Sequence, residues 1–434
     1  MSKKNIYMMV PFLFILFTFI VPGGTAFPAG GGELKIGGRG PEVKLLQEKL
    51  KESGYYPDSE VSGYFGLTTF TAVADFERAA GLKIDGIVGS ADWQVLNSGN
   101  YPSRGEGPGR GGPSETKLAK RVLGYYTEDY QGDRLSYDSL AGNGDLIDNI
   151  ATFSYLADGE GNLTGQPISK GVELAEKKGV KSLMLVHNIH NYIDADSAHT
   201  LLADKKNRAN LVKNILQLIQ NNGFDGVNID LESVPAADRE NYTALLAELK
   251  EVFKPYGYLL TVSIPAKTAD NPQNNWNGAY DYNAIGRLAD LVTLMTYDEH
   301  WFGGEPGPVA SLPWVQGVLD YATKAMPREK ILMGIAAYGY DWPDSGQARA
   351  VLWSGVDGLA AKYGSAARWN DQFSSPFLEY WDVKGIRHEV WFENKYSLAL
   401  KLDLVNSYNI GGIAVWRLGF EDYTFWETVK SKFS

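Results

Sequence analysis

The sequence predicts an α/β protein: a (β/α)8 TIM barrel with an inserted subdomain between its seventh and eighth strands, preceded by a small three-helix domain. Within residues 119–434, apolar β-branched runs alternate eight times with amphipathic stretches, which is the strand count of such a barrel. A segment dense in Gly, Pro and Ser at residues 98–116 separates this region from a shorter one with helical periodicity. The 434-residue chain is therefore expected to hold two domains joined by a flexible linker.

Residues 1–29 have the pattern of a secretory signal peptide. Lys3 and Lys4 precede an uncharged run at residues 6–21, and a small-x-small cleavage site follows at residues 24–26. Because the run is long for a signal core and short for a membrane span, an uncleaved anchor is the alternative interpretation. The sequence thus predicts export, with membrane attachment only through an uncleaved leader.

The small domain, residues 36–97, is predicted to contain three short helices around a small core. Apolar residues recur at helical spacing in three blocks, namely Val43, Leu46 and Leu50, then Phe70, Val73 and Phe76, then Trp93 and Leu96. The motifs "V..LQ..L...GYY", "G.FG..T..AV..F" and "GL..DGIVG...W..L" resemble the peptidoglycan-binding domain found beside bacterial wall hydrolases. The resemblance implies binding to wall glycan, and the alternative is a spacer that binds nothing.

The barrel strands are predicted from the apolar, β-branched runs of the larger domain. They are expected at residues 121–126, 150–155, 182–187, 226–231, 259–264, 291–296, 331–337 and 412–416. The last gap is much longer than the others, and its residues, about 340–393, are rich in aromatic side chains. We expect this stretch to form the inserted subdomain and to wall one side of the active face.

Composition excludes several classes of partner and cofactor. The formal net charge of −11 disfavours nucleic acid as a partner, because neutralising phosphates requires Lys and Arg. The chain has no Cys, which excludes disulfides and thiolate metal sites, and its five His show no metal-binding spacing. The sequence therefore gives no sign of a metal site, and we expect the protein to use neither a metal nor an organic cofactor.

The fourth predicted strand carries a row of polar side chains. Residues in a strand alternate between its two faces, so Asn228, Asp230 and Glu232 point one way and the intervening aliphatic residues point the other. With the aliphatic side chains under the helices, the polar row faces the barrel interior at the end where barrel enzymes hold their active sites. The alternative is an internal hydrogen-bond network with no catalytic role.

The spacing of the two carboxylates limits the chemistry they can perform. Two positions apart on one strand, the Cα atoms of Asp230 and Glu232 lie about 7 Å apart and approach a bound sugar from the same side. Asp230 is therefore poorly placed to attack the sugar from the opposite face, but its charge can raise the pKa of Glu232 and keep that group protonated as a general acid. The nucleophile can then be the 2-acetamido carbonyl of the substrate.

Several motifs of the larger domain carry a family resemblance. "DGVNIDLE" resembles the D-x-x-D-x-D-x-E signature of family-18 glycoside hydrolases, which use substrate-assisted catalysis. "LMTYD" at residues 294–298 and "GIAVW" at residues 412–416 fall on the sixth and eighth strands, as in that family. "YGYDW" and "HEVWFE" resemble its spore-cortex N-acetylglucosaminidase branch, as does Asn228, which stands where chitinases usually have Asp.

The resemblance implies a role for each residue of the motifs. Glu232 is expected to donate the proton to the leaving oxygen, and Asp230 to hold the acetamido group and stabilise the oxazolinium ion. Tyr297 is expected to hydrogen-bond the acetamido carbonyl. Trp416 is expected to form the floor of the sugar site, and Asp298 to contact sugar hydroxyls.

Four further residues are predicted near the site. Asp225, at the base of the strand, is expected to be a buried structural partner. Asn228 removes the stacked Asp pair of chitinases, but its amide could still donate a hydrogen bond to Asp230. Tyr125 and Asn188, near the ends of the first and third strands, are candidates for the same substrate pocket.

Together these observations predict a monomeric, secreted hydrolase associated with the cell wall or the spore. It is expected to cleave β-1,4 bonds after N-acetylglucosamine in peptidoglycan, with spore cortex as one such substrate, by retaining, substrate-assisted hydrolysis. One alternative is a chitinase, because chitin contains the same acetamido sugar. The other is a glycan-binding protein without turnover, although such relatives usually lack the proton donor that Glu232 supplies.

Overall fold

The computed structural model describes residues 33–35, 37–56, 61–99, 118–189 and 193–433. The predicted signal peptide lies outside the described residues, as does the predicted linker from residue 100 onward. Within the described ranges, no helix combines the length and apolar character needed to cross a membrane.

The N-terminal domain has the three predicted helices. They are α1 (Pro41–Glu52), α2 (Leu67–Ala80) and α3 (Ser90–Ser98). Leu46, Leu50 and Phe76 are fully buried between them. Gly86, in the "DGIVG" motif, has a φ of +69°, and a Cβ at this position would lie 2.3 Å from the Phe70 ring. The turn before α3 therefore requires glycine, both for its backbone conformation and for close packing.

The barrel starts at Arg121, and its strands alternate with helices. The strands are β1 (Arg121–Tyr126), β2 (Asn149–Ala157), β3 (Leu163–Gly165), β4 (Lys181–His187), β5 (Gly226–Asp230), β6 (Leu259–Pro265), β7 (Leu291–Met295) and β8 (Ile331–Ala336). The helices among them are α4 (Leu135–Asn143), α5 (Ser169–Lys178), α6 (Ala195–Ala203), α7 (Lys205–Asn222), α8 (Arg239–Phe253), α9 (Tyr282–Leu288) and α10 (Leu312–Ala325). Strand β3 is a short antiparallel addition to β2 and is not a barrel strand.

The inserted subdomain is an antiparallel sheet that follows β8 directly. Its elements are β9 (Tyr338–Pro343), β10 (Arg349–Leu352), α11 (Val356–Tyr363), β11 (Arg368–Asn370), β12 (Ser375–Trp381) and β13 (Arg387–Trp391). The strands lie in the order β10-β9-β13-β12-β11. This arrangement confirms the predicted insertion, which starts two residues earlier than expected, at Tyr338.

Helix α12 (Lys395–Ser407), strand β14 (Gly412–Trp416) and helix α13 (Tyr423–Phe433) complete the chain. Strand β1 pairs in parallel with β14 on one side and β2 on the other, so the sheet closes as β1-β2-β4-β5-β6-β7-β8-β14. Val227, Ile229 and Leu231 pack in the large core that contains the helices, whereas Leu183 and Leu185 lie in a separate cluster with side chains from other barrel strands. The predicted eight-stranded barrel is thus confirmed, as is the prediction that the aliphatic side chains of β5 pack under the helices.

The N-terminal domain packs against the barrel and the insertion. The Phe70 ring meets the rings of Trp369 and Tyr396 edge-on, with 6.2 Å between centroids in each pair. Arg78 on α2 lies 3.4 Å from the buried carboxylate of Asp403 on α12. In the structure, therefore, the small domain shares a partly buried interface with the barrel and the insertion.

This interface can be tested with a double-mutant cycle on Arg78→Gln and Asp403→Asn. Because the two charges face each other in a largely buried contact, we expect a coupling free energy of about 0.5–1 kcal/mol in thermal unfolding. Asp403 also pairs with Lys432 within the barrel, and the cycle removes that shared contribution. A coupling free energy of zero would mean that the small domain does not contact the barrel in this way in solution.

Candidate active site

A cavity of about 830 Å³ opens at the C-terminal ends of the barrel strands. The insertion closes one side of it through Tyr338, Tyr340 and Ala350. Six of the nine predicted site residues line this cavity: Tyr125, Asp230, Glu232, Tyr297, Asp298 and Trp416. The chain thus brings together side chains from β1, β5, β7 and β14, or from the loops that follow them.

Asp230 and Glu232 lie in the wall of this cavity at the end of β5. Burial raises the pKa of Asp230 well above its usual range, and the neighbouring Glu232 carboxyl raises it further. Burial also raises the pKa of Glu232, to about 7, with a smaller contribution from the charge of Asp298. The sequence predicted a raised pKa for Glu232 through Asp230, whereas in the structure burial is the main cause and Asp298 supplies the charge.

One carboxylate oxygen of this pair is left without a partner. Asp230 is 4% exposed, and its Oδ1 atom is buried without a hydrogen bond. A buried carboxylate oxygen that accepts no hydrogen bond is unfavourable by about 1–3 kcal/mol or more. This atom is therefore available to accept a hydrogen bond from a ligand in the cavity.

Asn228 lies beneath the cavity, where it bonds to the neighbouring strand β6. Its Nδ2 donates to Thr261 Oγ1 at 2.9 Å, and its Oδ1 accepts from Ser263 Oγ at 2.9 Å. The Tyr125 hydroxyl lies 2.6 Å from Ser263 Oγ and completes this chain. The described residues show no bond from Asn228 to Asp230, because the amide bonds to β6 instead. Asn228 does not line the cavity, and its predicted substrate contact stays a prediction.

Asp298 is held by two tyrosines of the insertion. The hydroxyls of Tyr338 and Tyr340 both donate to Asp298 Oδ1, at 2.5 and 2.9 Å. Burial raises the pKa of Asp298, and these hydrogen bonds oppose that effect. Neither tyrosine was predicted as a site residue, although their spacing in "YGYDW" puts them on one face of a strand.

Asn188 and Asp225 lie outside the cavity wall. Both ends of the Asn188 carboxamide bond to the backbone of Glu232. Asn188 was predicted to lie in the substrate pocket, but it does not line the cavity. Asp225 lies at the opposite end of β5, where its Oδ2 accepts from the backbone N–H of Ser182 at 2.8 Å. This bond fits the predicted structural role, but the Asp225 side chain is exposed, so the expectation that it is buried is wrong.

Aromatic side chains form the floor and rim of the cavity. The Trp416 ring lies 5.2 Å from that of Tyr125 and 5.7 Å from that of Phe153 at the floor. Trp276 and Trp301 stand on two different loops at the rim, and each is about half exposed (53% and 48%). Sequence reasoning missed these two tryptophans, because a single Trp in a loop is not distinguishable from a core residue without the fold.

The described residues contain no group of three or more His, Cys, Asp or Glu side chains that could hold a metal ion.

Tyr297 fits the cavity wall because the neighbouring strand carries glycine at position 334. A Cβ on Gly334 would lie 2.8 Å from the Tyr297 ring and 2.6 Å from the carbonyl oxygen of Leu294. Gly334→Ala is therefore expected to lower the free energy of unfolding by about 1–3 kcal/mol and to displace Tyr297. Thermal unfolding measures the first effect, and activity per folded molecule measures the second.

Gly358→Ala is the matched control, because a Cβ there meets no atom within 4 Å on helix α11. If Gly334→Ala unfolds at the same temperature as this control and retains full activity, the close packing around Tyr297 is not as the structure shows.

Comparison with known proteins agrees with this geometry. Residues 121–421 match the family described as "Glycosyl hydrolases family 18", and residues 39–96 match a peptidoglycan binding domain. The cortical fragment-lytic enzyme of Bacillus subtilis is 31% identical over 291 residues, which cover 66% of this chain and 68% of that protein.

Two solved structures show the same fold at useful sequence identity. The chitinase from Chromobacterium violaceum is 34% identical, with a TM-score of 0.68, covering 73% of this chain and 99% of that one. The spore cortex-lytic enzyme SleL of Bacillus cereus is 30% identical, with a TM-score of 0.68, covering 74% of this chain and 76% of that one. With this match over most of its length, and with the two carboxyl groups of its family motif in the cavity, the chain belongs to glycoside hydrolase family 18 and carries a peptidoglycan-binding domain at its N-terminal side.

Proposed function

We propose that this glycosidase is an exported cell-wall hydrolase that cleaves β-1,4 bonds after N-acetylglucosamine in peptidoglycan, spore cortex included. The observation that carries the proposal is the buried pair at the end of β5. Glu232 has a pKa near neutrality, and Asp230 beside it has an unpartnered oxygen in a cavity large enough for sugars. A proton donor next to a hydrogen-bond acceptor is what substrate-assisted hydrolysis of an acetamido sugar requires.

Glu232 acts as the general acid in the proposed reaction. Its raised pKa keeps a proton on the carboxyl near neutral pH, and that proton passes to the glycosidic oxygen as the bond to the sugar C1 breaks. The carboxylate that remains can then accept a proton from the attacking water. The same group thus serves as acid in the first step and as base in the second.

Asp230 acts on the acetamido group of the substrate. Its free Oδ1 accepts the acetamido N–H, and the acetamido carbonyl oxygen attacks C1 as the leaving group departs, forming an oxazolinium ion. The cation favours the ionised form of Asp230, and the negative charge of that form stabilises the cation in a buried site, where charge interactions are strong. Tyr297, also in the cavity wall, donates a hydrogen bond to the carbonyl oxygen, and water then opens the ring with retention of configuration.

The N-terminal domain favours peptidoglycan as the substrate. It matches a peptidoglycan binding domain, and two of the relatives are a cortical fragment-lytic and a spore cortex-lytic enzyme. A wall-bound domain beside the barrel raises the local concentration of the catalytic site along an insoluble polymer. This placement requires export to the wall or the spore, which the signal pattern of residues 1–29 would provide.

Chitin is the second candidate substrate, because the Chromobacterium violaceum chitinase is 34% identical to this chain. Asn228, which differs from the chitinase pattern, and the wall-binding domain argue for peptidoglycan. Binding without turnover is the third candidate, and the intact pair of Asp230 and Glu232 argues against it.

The substrate experiment compares wild-type protein with Glu232→Gln on spore-cortex fragments, vegetative peptidoglycan and chitin oligomers. New reducing ends are identified by mass spectrometry. We expect N-acetylglucosamine ends from muropeptides, and a loss of about 10²–10⁴-fold in rate for Glu232→Gln, because the amide cannot donate the proton. Asp230→Asn should lose a similar factor and Tyr297→Phe about tenfold, the value of one hydrogen bond.

Other outcomes of this experiment would contradict the proposed function or mechanism. Products from chitin alone would replace the peptidoglycan assignment with that of a chitinase. Wall binding without products from any substrate would indicate a non-catalytic protein. Near wild-type turnover by Glu232→Gln would exclude the mechanism proposed here.

The pH dependence of kcat/KM tests the environment of Glu232. The acid must be protonated to act, so activity is expected to fall as pH rises through about 7. Because the charge of Asp298 raises the pKa of Glu232, Asp298→Asn should move this fall in activity, the basic limb of the pH profile, to lower pH. A limb at the same pH in wild type and Asp298→Asn would show that Asp298 does not act on the acid.

A further inference from the structure

The turn that carries Glu232 belongs to no helix or strand. Strand β5 ends at Asp230, and residues 231–234, which we name the acid turn, precede the next helical residues at 236–238. Within the acid turn, Ser233 adopts a positive φ of 50°, which is uncommon for a residue with a Cβ. The backbone of this turn therefore needs partners from other elements to hold one conformation.

Asn188 supplies partners from the loop after β4. Its Oδ1 accepts from the backbone N–H of Glu232 at 2.8 Å, and its Nδ2 donates to the backbone carbonyl of the same residue at 2.9 Å. The same Nδ2 donates to the carbonyl of Asp194 at 3.0 Å, which fixes the amide in its loop. Asn188 is buried, so water does not compete for these bonds.

Tyr280 supplies partners from the loop after β6, on the other side. Its hydroxyl donates to the carbonyl of Leu231 at 2.8 Å and accepts from the N–H of Val234 at 3.4 Å. The Tyr280 ring is fully buried and packs edge-on against Tyr242 at 5.2 Å. Asn188 and Tyr280 together bond backbone groups at Leu231, Glu232 and Val234.

We propose that Asn188 and Tyr280 form a clamp that positions the carboxyl of Glu232 for proton transfer. Neither side chain lines the cavity, so neither touches the substrate, and both act through the backbone of the acid turn. The inference rests on the proposed function, in which Glu232 is the acid. A general acid must lie within hydrogen-bond reach of the leaving oxygen, and a displacement of about 1 Å can lower the rate about 10²-fold.

A positioning role and simple stabilisation of the fold predict different effects on stability and on kinetics. Loss of a buried hydrogen bond anywhere in the barrel lowers the free energy of unfolding, but loss of the clamp also moves the acid. Substrate contacts made by other cavity residues are kept, so KM should change little while kcat falls. A looser turn also admits water around Glu232, which lowers its pKa towards the ordinary value.

The test measures kcat, KM and the pH profile of Asn188→Ala and Tyr280→Phe on soluble glycan fragments of spore cortex. Tyr282→Phe is the matched control, because the hydroxyl of this equally buried tyrosine donates to the carbonyl of Pro265 at 2.8 Å, away from the acid turn. We expect both clamp variants to lose about 10–100-fold in kcat with KM within a few-fold, and Tyr282→Phe to lose little. The basic limb of kcat/KM should move to lower pH in the clamp variants alone.

The outcomes separate this proposal from the proposed function. If wild type is active and Glu232→Gln is inactive, but the clamp variants match Tyr282→Phe in kcat and pH profile, the clamp is structural only and the inference is wrong. If Glu232→Gln keeps wild-type turnover, the proposed function fails and the clamp inference fails with it. Should Asn188→Ala not fold, Tyr280→Phe still decides, because it removes one hydroxyl and keeps the ring.

Discussion

The active site depends on two carboxyl groups, of Asp230 and Glu232, that share one largely buried cavity. Charging both in this environment is unfavourable, since burial raises the pKa of each and the two charges repel. The site therefore holds a proton on the pair near neutral pH, which is the state a general acid needs. A carboxyl pair in the solvent would lose that proton well below neutrality, so burial in the barrel favours the protonated state that the proposed mechanism requires.

The surrounding polar groups support this pair without neutralising it. Asn228 pairs with Thr261 and Ser263 below the cavity, and so leaves Asp230 Oδ1 unpartnered. The tyrosines of the insertion bond to Asp298, which in turn raises the pKa of Glu232. The insertion thus bonds to the residue whose charge raises the pKa of Glu232, and it also forms part of the cavity wall.

Sequence reasoning succeeded where local pattern decides the structure. Alternation in "VNIDLE" is enough to predict that Asp230 and Glu232 face the cavity while Ile229 packs under the helices, because the period of a strand is two. The sequence did not predict hydrogen bonds between residues that are far apart in the chain. The amide of Asn188 meets the backbone of Glu232 across 44 residues, and a pattern shows only that both lie near strand ends. Hydrogen-bond partners of this kind depend on the register between barrel strands, which cannot be predicted from a short stretch of sequence.

The most direct test of the account is whether the acetamido group of the substrate is the nucleophile. It can be measured with aryl glycosides of N-acetylglucosamine oligomers in which the acetamido methyl at the cleavage site carries zero, one, two or three fluorines. Fluorine withdraws electrons from the carbonyl oxygen, so the account predicts that the rate of bond cleavage falls steeply at each step, with the β-anomer as the first product. A rate independent of fluorination, or an α-anomer as first product, would contradict the roles given to Asp230 and Glu232.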